Sequence, residues 1–165
     1  KWILSELDKL VKECKKGYEE YNFFIPAVAI REFTWNVFAA HYIEMVKARA
    51  YGIDFSDEER DGAIFTLHKT LSTILKLLAP ITPFITEHLW KTLYSNESIH
   101  QQKQVDFENI EEQTEITKAI SEFNSKVWNE KKSQNLSLKD SIKIDIPEIL
   151  QPFKKDLKSM HNLLD

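Results

Sequence analysis

The stretch LAPITPFITEHLW, residues 78–90, places two prolines three positions apart between two amphipathic runs, LSTILKLL (71–78) and FITEHLWKTLY (84–94). Proline in a helix interior removes a hydrogen bond and clashes with the preceding turn, at a cost of about 3 kcal/mol. The first run must therefore stop before Pro80. Thr82 is an N-cap residue type, and Pro83 follows at the first helical position, where a missing N–H costs nothing. The stretch predicts a fixed corner between two helices.

Working outward, helical signals dominate. Upstream, Ser56-Asp57-Glu58-Glu59 matches the capping box S-x-x-E and opens the helix that runs to Leu78. The run 26–51 predicts a long helix ended by Gly52. It is apolar around much of its circumference, which predicts the central, most buried helix. Phe33, Trp35, Phe38 and Trp90 are expected in the core. Residues 2–21 put Ile3, Leu7, Leu10, Cys14, Tyr18 and Tyr21 at helical spacing, with Lys9, Lys12 and Lys16 on the opposite face. Asn22 to Pro26 form the turn that follows.

Downstream, residues 95–108 lack either periodicity and predict a surface loop. Asn109-Ile110-Glu111-Glu112 matches a second capping box and predicts a helix to about Lys132, with Ile116, Ile120, Phe123 and Val127 buried. SIKIDIP (141–147) alternates and predicts a short strand. Leu150, Phe153, Leu157, Met160 and Leu164 predict a last amphipathic helix. The expected fold is mainly α: an antiparallel helix bundle over residues 1–133, with a small C-terminal α/β piece, a strand and a helix over 134–165, packed on it.

Composition sets limits on function. The 165 residues suffice for one domain with a real core, and the net charge of −4 argues against a wholesale nucleic-acid coat but not against a local basic site. Three glycines nearly exclude phosphate loops and Rossmann turns, and the single cysteine, Cys14, excludes an internal disulfide. No run is long and apolar enough to span a membrane. A start at Lys1 rather than methionine suggests a piece of a longer protein. No catalytic constellation survives inspection: HExxH, the Walker loop and GxSxG are absent. Glu97 and His100 have metal-ligand spacing but sit in a loop. His41 and Glu44 have no second pair to answer them, so His41 reads as a hydrogen-bonded structural histidine. No metal site is expected.

Four blocks in order carry a resemblance. KWILSEL (1–7), REFTWNVFAAHYIEMVKAR (31–49), LLAPITPFITEHLW (77–90) and ESIHQQ (97–102) resemble the anticodon-binding helical domain of class I aminoacyl-tRNA synthetases, in the branch for branched aliphatic amino acids and methionine. Within that branch the similarity is strongest to valyl-tRNA synthetases of the archaeal type, through Phe33 to Asn36 and Tyr42-Ile43-Glu44. KVWNEKKSQNLSLKDSIKI (126–144) is similar to the K…GLSL…I stretch, with Asn135 in place of the glycine. Gln102 stands where the family usually has an aromatic residue followed by proline. The catalytic signatures of such enzymes are absent from the chain.

The resemblance implies a tRNA-binding module of a valine–tRNA ligase. Its partners would be valine tRNA and the catalytic domain of the same parent chain. The parent would use ATP and magnesium and be cytoplasmic, without membrane attachment, and monomeric; this segment would need no cofactor. It also directs attention to residues able to read a loop. The loop Ser98, Ile99, His100, Gln101, Gln102 and Lys103 offers donors and acceptors. The turn Asn22-Phe23-Phe24 has two adjacent phenylalanines that cannot easily both point inward, leaving a stacking face. Arg31 could stack or hold a phosphate, and Lys126, Lys131 and Lys132 could contact the RNA backbone. Pro80 and Pro83 are read as scaffold. The alternatives are the same domain of an isoleucyl enzyme, or a helical interaction module without an RNA role, which the acidic charge favours.

Overall fold

The computed structural model describes residues 1–106 and 108–164; Phe107, in the expected 95–108 loop, and Asp165, at the end of the expected C-terminal piece, lie outside the described residues. Helices follow in the order α1 (Trp2–Glu19), α2 (Phe24–Glu32), a π-helical stretch (Phe33–Ile43), α3 (Glu44–Ala50), α4 (Asp57–Leu78), α5 (Pro83–Leu93), a 3₁₀ turn (Ile99–Gln101), α6 (Thr114–Ser133), a second 3₁₀ stretch (Glu148–Phe153) and α7 (Lys154–His161). No described helix is long and apolar enough to cross a membrane. The chain forms two compact units, Lys1–Val37 with Phe65–Glu112 and Phe38–Ile64 with Gln113–Asp165, so the division falls within the π-helical stretch and within α4.

In the first unit α1 buries Trp2, Ile3, Leu7, Leu10, Val11 and Cys14. Burial pushes the Cys14 thiol up to about 12, which makes it a core residue rather than a nucleophile. Tyr21 departs from the expected stripe: it has left the helix with φ +55° and is 86% exposed. The run 24–50 is not buried all round either. Phe33 and Phe38 are in the core, but Trp35 is 75% exposed. On a helix of about 100° per residue Trp35, five positions after the buried Ile30 and two after Phe33, falls on the side away from both.

The corner forms as expected, with α4 ending at Leu78 and Pro83 opening α5. Thr82 occupies the N-cap position without a side-chain cap; its hydroxyl lies 3.4 Å from the Leu78 carbonyl and donates back to it. The capping box expected at 109–112 does not open a helix, since α6 begins at Thr114. The buried Asp8 carboxylate holds this segment across α1 instead, accepting from the Glu108 and Ile110 N–H groups, while the Ser5 hydroxyl donates to the Glu111 carbonyl at 2.8 Å. Asn109 sits at φ +54° within this strap. Burial raises the Asp8 pKa, but the Glu108 amide, Lys12 and the Ile110 amide outweigh it and hold the carboxyl below its usual range.

In the second unit the box at Ser56 is complete: the Ser56 N–H donates to Glu59 Oε2 at 2.9 Å and the Glu59 N–H to Ser56 Oγ at 3.2 Å. Gly52 ends α3 at φ +70°, and Asn135 ends α6 at φ +55°, the left-handed conformation its place in NLSL requires. The expected strand reduces to a single parallel bridge between Ile142 and Leu163. Leu150 and Leu157 are buried as expected, but Leu164 is 55% exposed. The centre of the unit is polar. Asn124 bridges two buried histidines, His41 Nδ1 at 3.0 Å and His161 Nε2 at 2.7 Å. The fully buried Lys131 donates to the Leu138 and His161 carbonyls at 2.7 and 2.8 Å.

Two outcomes are expected for this unit. Lys131→Met, which leaves two carbonyls without their donor, lowers stability by about 1–3 kcal/mol in denaturant unfolding. The second concerns pH. Burial holds His161 down at about 4, so its contribution is full above the ordinary histidine value and lost as pH falls from 6.5 toward 4. Burial raises Asp156 to about 6 despite Arg49 at 3.1 Å, so its ionisation costs stability as pH rises from 3.8 to 6. The slopes oppose between pH 4 and 6. Asp156→Asn removes one of them, and its melting temperature should fall more steeply on acidification than that of the parent chain.

Candidate nucleic-acid interface

A cleft of about 380 Å³ opens in the first unit, and segments distant in sequence meet there. The end of α1 and the turn after it supply Val11, Lys15, Tyr18, Tyr21 and Phe23. The proline corner supplies Lys76, Leu77, Ala79 and Pro80, and the loop after α5 supplies Ile99, His100, Gln102, Lys103, Gln104 and Val105.

The first wall depends on Gly17. A Cβ there would lie 2.6 Å from Pro26 Cδ, so only glycine lets α2 start against α1 and the turn close tightly. The turn presents Tyr21 and Phe23, 86% and 49% exposed, to the cleft. Phe23 meets Tyr18 edge-on, with ring centroids 5.5 Å apart. The Tyr18 hydroxyl donates to the Leu77 carbonyl at 2.6 Å and ties this wall to the corner. Burial, with a smaller effect of Cys14, pushes the phenol up to about 12, so it stays a neutral donor. Asn22 is occupied locally, its Oδ1 accepting from the Phe24 N–H at 3.2 Å. Phe24 is 76% exposed but does not line the cleft.

The opposite wall is pinned by Glu87, one turn into α5. Its Oε2 accepts from both Ser98 Oγ and the Ile99 N–H at 2.9 Å, and its Oε1 faces Lys91 Nζ at 2.9 Å. Lys91, then the Ile99 amide and the Ser98 hydroxyl, hold the Glu87 carboxyl down at about 2. Ser98 also accepts from the His100 N–H at 3.2 Å and caps the 3₁₀ turn. Ile99 is buried with Leu75, Ala79 and Trp90. Ser98 and Ile99 thus anchor the loop, while His100, Gln102 and Lys103 are left to face the cleft; Gln101 is exposed outside it.

The cations of the cleft are Lys15, Lys76 and Lys103. Lys15 pairs with Asp106 at 3.2 Å, and Lys76 sits 5.2 Å from the Trp90 ring. Aromatic faces beside cations and a polar loop suit a single-stranded nucleic acid, whose bases stack and whose phosphates need positive charge.

Of the residues read from the sequence, Phe23, Ile99, His100, Gln102 and Lys103 come together here. Arg31 lies elsewhere on the surface, paired with Glu32 at 2.6 Å. Lys126 and Lys132 are exposed in the second unit, and Lys131 is removed from the set because burial and two carbonyls occupy its ammonium. Sequence reasoning missed Tyr21, Lys15, Lys76 and Gln104, and counted Pro80 as scaffold alone although it also lines the cleft. The helical stripe hid Tyr21. Its place before Asn22 in a short turn was the signal that it could leave the helix.

The family described as the anticodon-binding domain of tRNA ligase matches residues 1–146. The chain belongs to this family. It is similar to the valine–tRNA ligase of Pyrobaculum aerophilum, 37% identical over 99% of this chain and 21% of that protein. The corresponding enzyme of Aeropyrum pernix is 34% identical over 98% of this chain and 20% of its own length. That of Archaeoglobus fulgidus is 38% identical over 87% and 17%. The chain therefore spans about one fifth of the length of the curated relatives it matches.

Glu87 gives the site a measurable handle. Glu87→Gln should speed hydrogen exchange at the Ile99 amide. In the parent chain the same protection is full above the ordinary carboxylate value of 4.5 and decays as pH falls toward about 2, once exchange rates are corrected for intrinsic pH dependence.

Proposed function

We propose that this chain recognises the anticodon loop of a valine tRNA as the anticodon-binding part of a valine–tRNA ligase. The observation that carries the reading is the convergence of the Tyr21–Phe23 turn and the His100–Lys103 loop on one cleft lined with cations. The long matches to valine–tRNA ligases support the choice of amino acid. Ligation itself, with ATP and magnesium, belongs to the remainder of such an enzyme, which would work in the cytoplasm. Here the chain's role is selection: exposed rings stack on unpaired bases, lysines hold the phosphates, and the loop reads base edges.

The test is a titration against the valine anticodon stem-loop, an isoleucine loop and a loop with a scrambled anticodon, at low and moderate salt. The valine loop should bind best, with a preference that persists as salt rises, because base contacts are screened less than phosphate contacts. Tyr21→Ala and Phe23→Ala should each weaken it by about 1–3 kcal/mol. Equal binding to all three loops, collapsing with salt, would leave only a phosphate-binding surface and overturn the reading.

A further inference from the structure

Among the described residues the cleft is lined by three lysines and no acidic side chain, in a chain that carries 26 aspartates and glutamates. The carboxylate that answers those lysines comes from beyond the rim. Asp106 directly follows Val105, which lines the cleft, and its Oδ1 lies 3.2 Å from Lys15 Nζ, 91 residues away in sequence. Both side chains are open to a ligand, Asp106 at 77% exposure and Lys15 at 36%. The backbone after Asp106 is held in place: the Glu108 and Ile110 amides donate to Asp8, on the same helix as Lys15, and Glu108 pairs with Lys69. An exposed ion pair contributes little by itself. A carboxylate tethered this closely, however, meets its lysine at high effective concentration, and any free anion has to displace it.

We infer that Asp106 occupies, in the free chain, the place of an RNA phosphodiester on Lys15, and that binding exchanges one for the other. The chemistry is shared, since each presents the oxygens of an anion to the same ammonium. The exchange breaks one ion pair for each one made, so this contact adds little net affinity. It also adds little to the counterion release that makes phosphate binding salt-dependent, because Lys15 is already neutralised. Asp106 is thus a built-in competitor that limits how much of the cleft's affinity comes from phosphates. The larger share falls to stacking on Tyr21 and Phe23. This inference rests on the cleft receiving RNA and adds to that reading the group that RNA displaces.

The experiment titrates the valine, isoleucine and scrambled stem-loops across a series of salt concentrations against the chain, Asp106→Asn, Lys15→Gln and the double variant. Asparagine keeps the size of the side chain and an acceptor oxygen but not the charge. Asp106→Asn should bind all three loops about threefold more tightly at low salt. Its slope of log K against log salt should steepen by about 0.7, the value of one further phosphate contact on a single strand. The gain should fade at moderate salt. In the Lys15→Gln background the same substitution should leave the slope unchanged and lose most of the gain. Affinity and slope unmoved by Asp106→Asn, a gain confined to one anticodon, or an equal gain with and without Lys15 overturns the assignment. None of these outcomes touches the preference for the valine loop, which the parent chain's own titration decides. Absence of binding to any loop, by the chain and Asp106→Asn alike, removes the cleft reading and this inference together.

Discussion

The Glu87 carboxylate joins the two parts of the chain that the cleft requires. It projects from the helix that the proline corner starts and accepts from the Ser98 hydroxyl and the Ile99 amide of the loop that follows. Pro83 fixes where α5 begins, and the buried Thr86 hydroxyl, donating to the Thr82 and Pro83 carbonyls, closes the first turn beneath it. Ile99 then has only one place to go, against Leu75, Ala79 and Trp90. A rigid corner, one carboxylate and one apolar anchor thereby hold a loop with a single 3₁₀ turn as a fixed wall. Fixed geometry matters for recognition because a loop that must be ordered on binding spends part of its interaction energy on ordering.

The other wall obeys a different constraint. Gly17 lets two helices approach until a proline ring occupies the space a side chain would need. The turn they leave is too short to bury everything it carries, and Tyr21 and Phe23 remain at the surface. Charge acts locally, so the net −4 of the chain does not describe the cleft, where Lys15, paired with Asp106, meets Lys76 and Lys103.

What the sequence made legible was local and chemical. The corner, the Ser56–Glu59 box, Gly52 and Asn135 each act within a few residues, and each was readable from residue type. The loop Ser98–Lys103 and the turn at Phe23 could be recognised as candidates, but not as neighbours, since nothing local states that they share a cleft. The misreadings are competitions won by distant groups. Asn109 to Glu112 had the residue types of a capping box, but the Asp8 carboxylate on α1 ties down the Glu108 and Ile110 amides and holds the segment against that helix. Lys131 had the look of a surface lysine until two carbonyls from the following segment enclosed it. Trp35 was misplaced because its bulk was read ahead of its register: on a helix of about 100° per residue it falls away from the buried Ile30 and Phe33.

The eleven residues Phe33–Ile43 wind as a π-helix, and this has a consequence for how the gene can vary. A wide helical turn holds a residue that an α-helix would not need. Losing one amino acid from FTWNVFAAHYI would let the segment close toward α-helical winding while His41, Tyr42, Met45 and Val46 keep their places in the core. A loss from a segment already α-helical has no such slack, since every side chain beyond it would swing by roughly 100° about the axis. The length of this segment can therefore vary where that of α1 or α4 cannot.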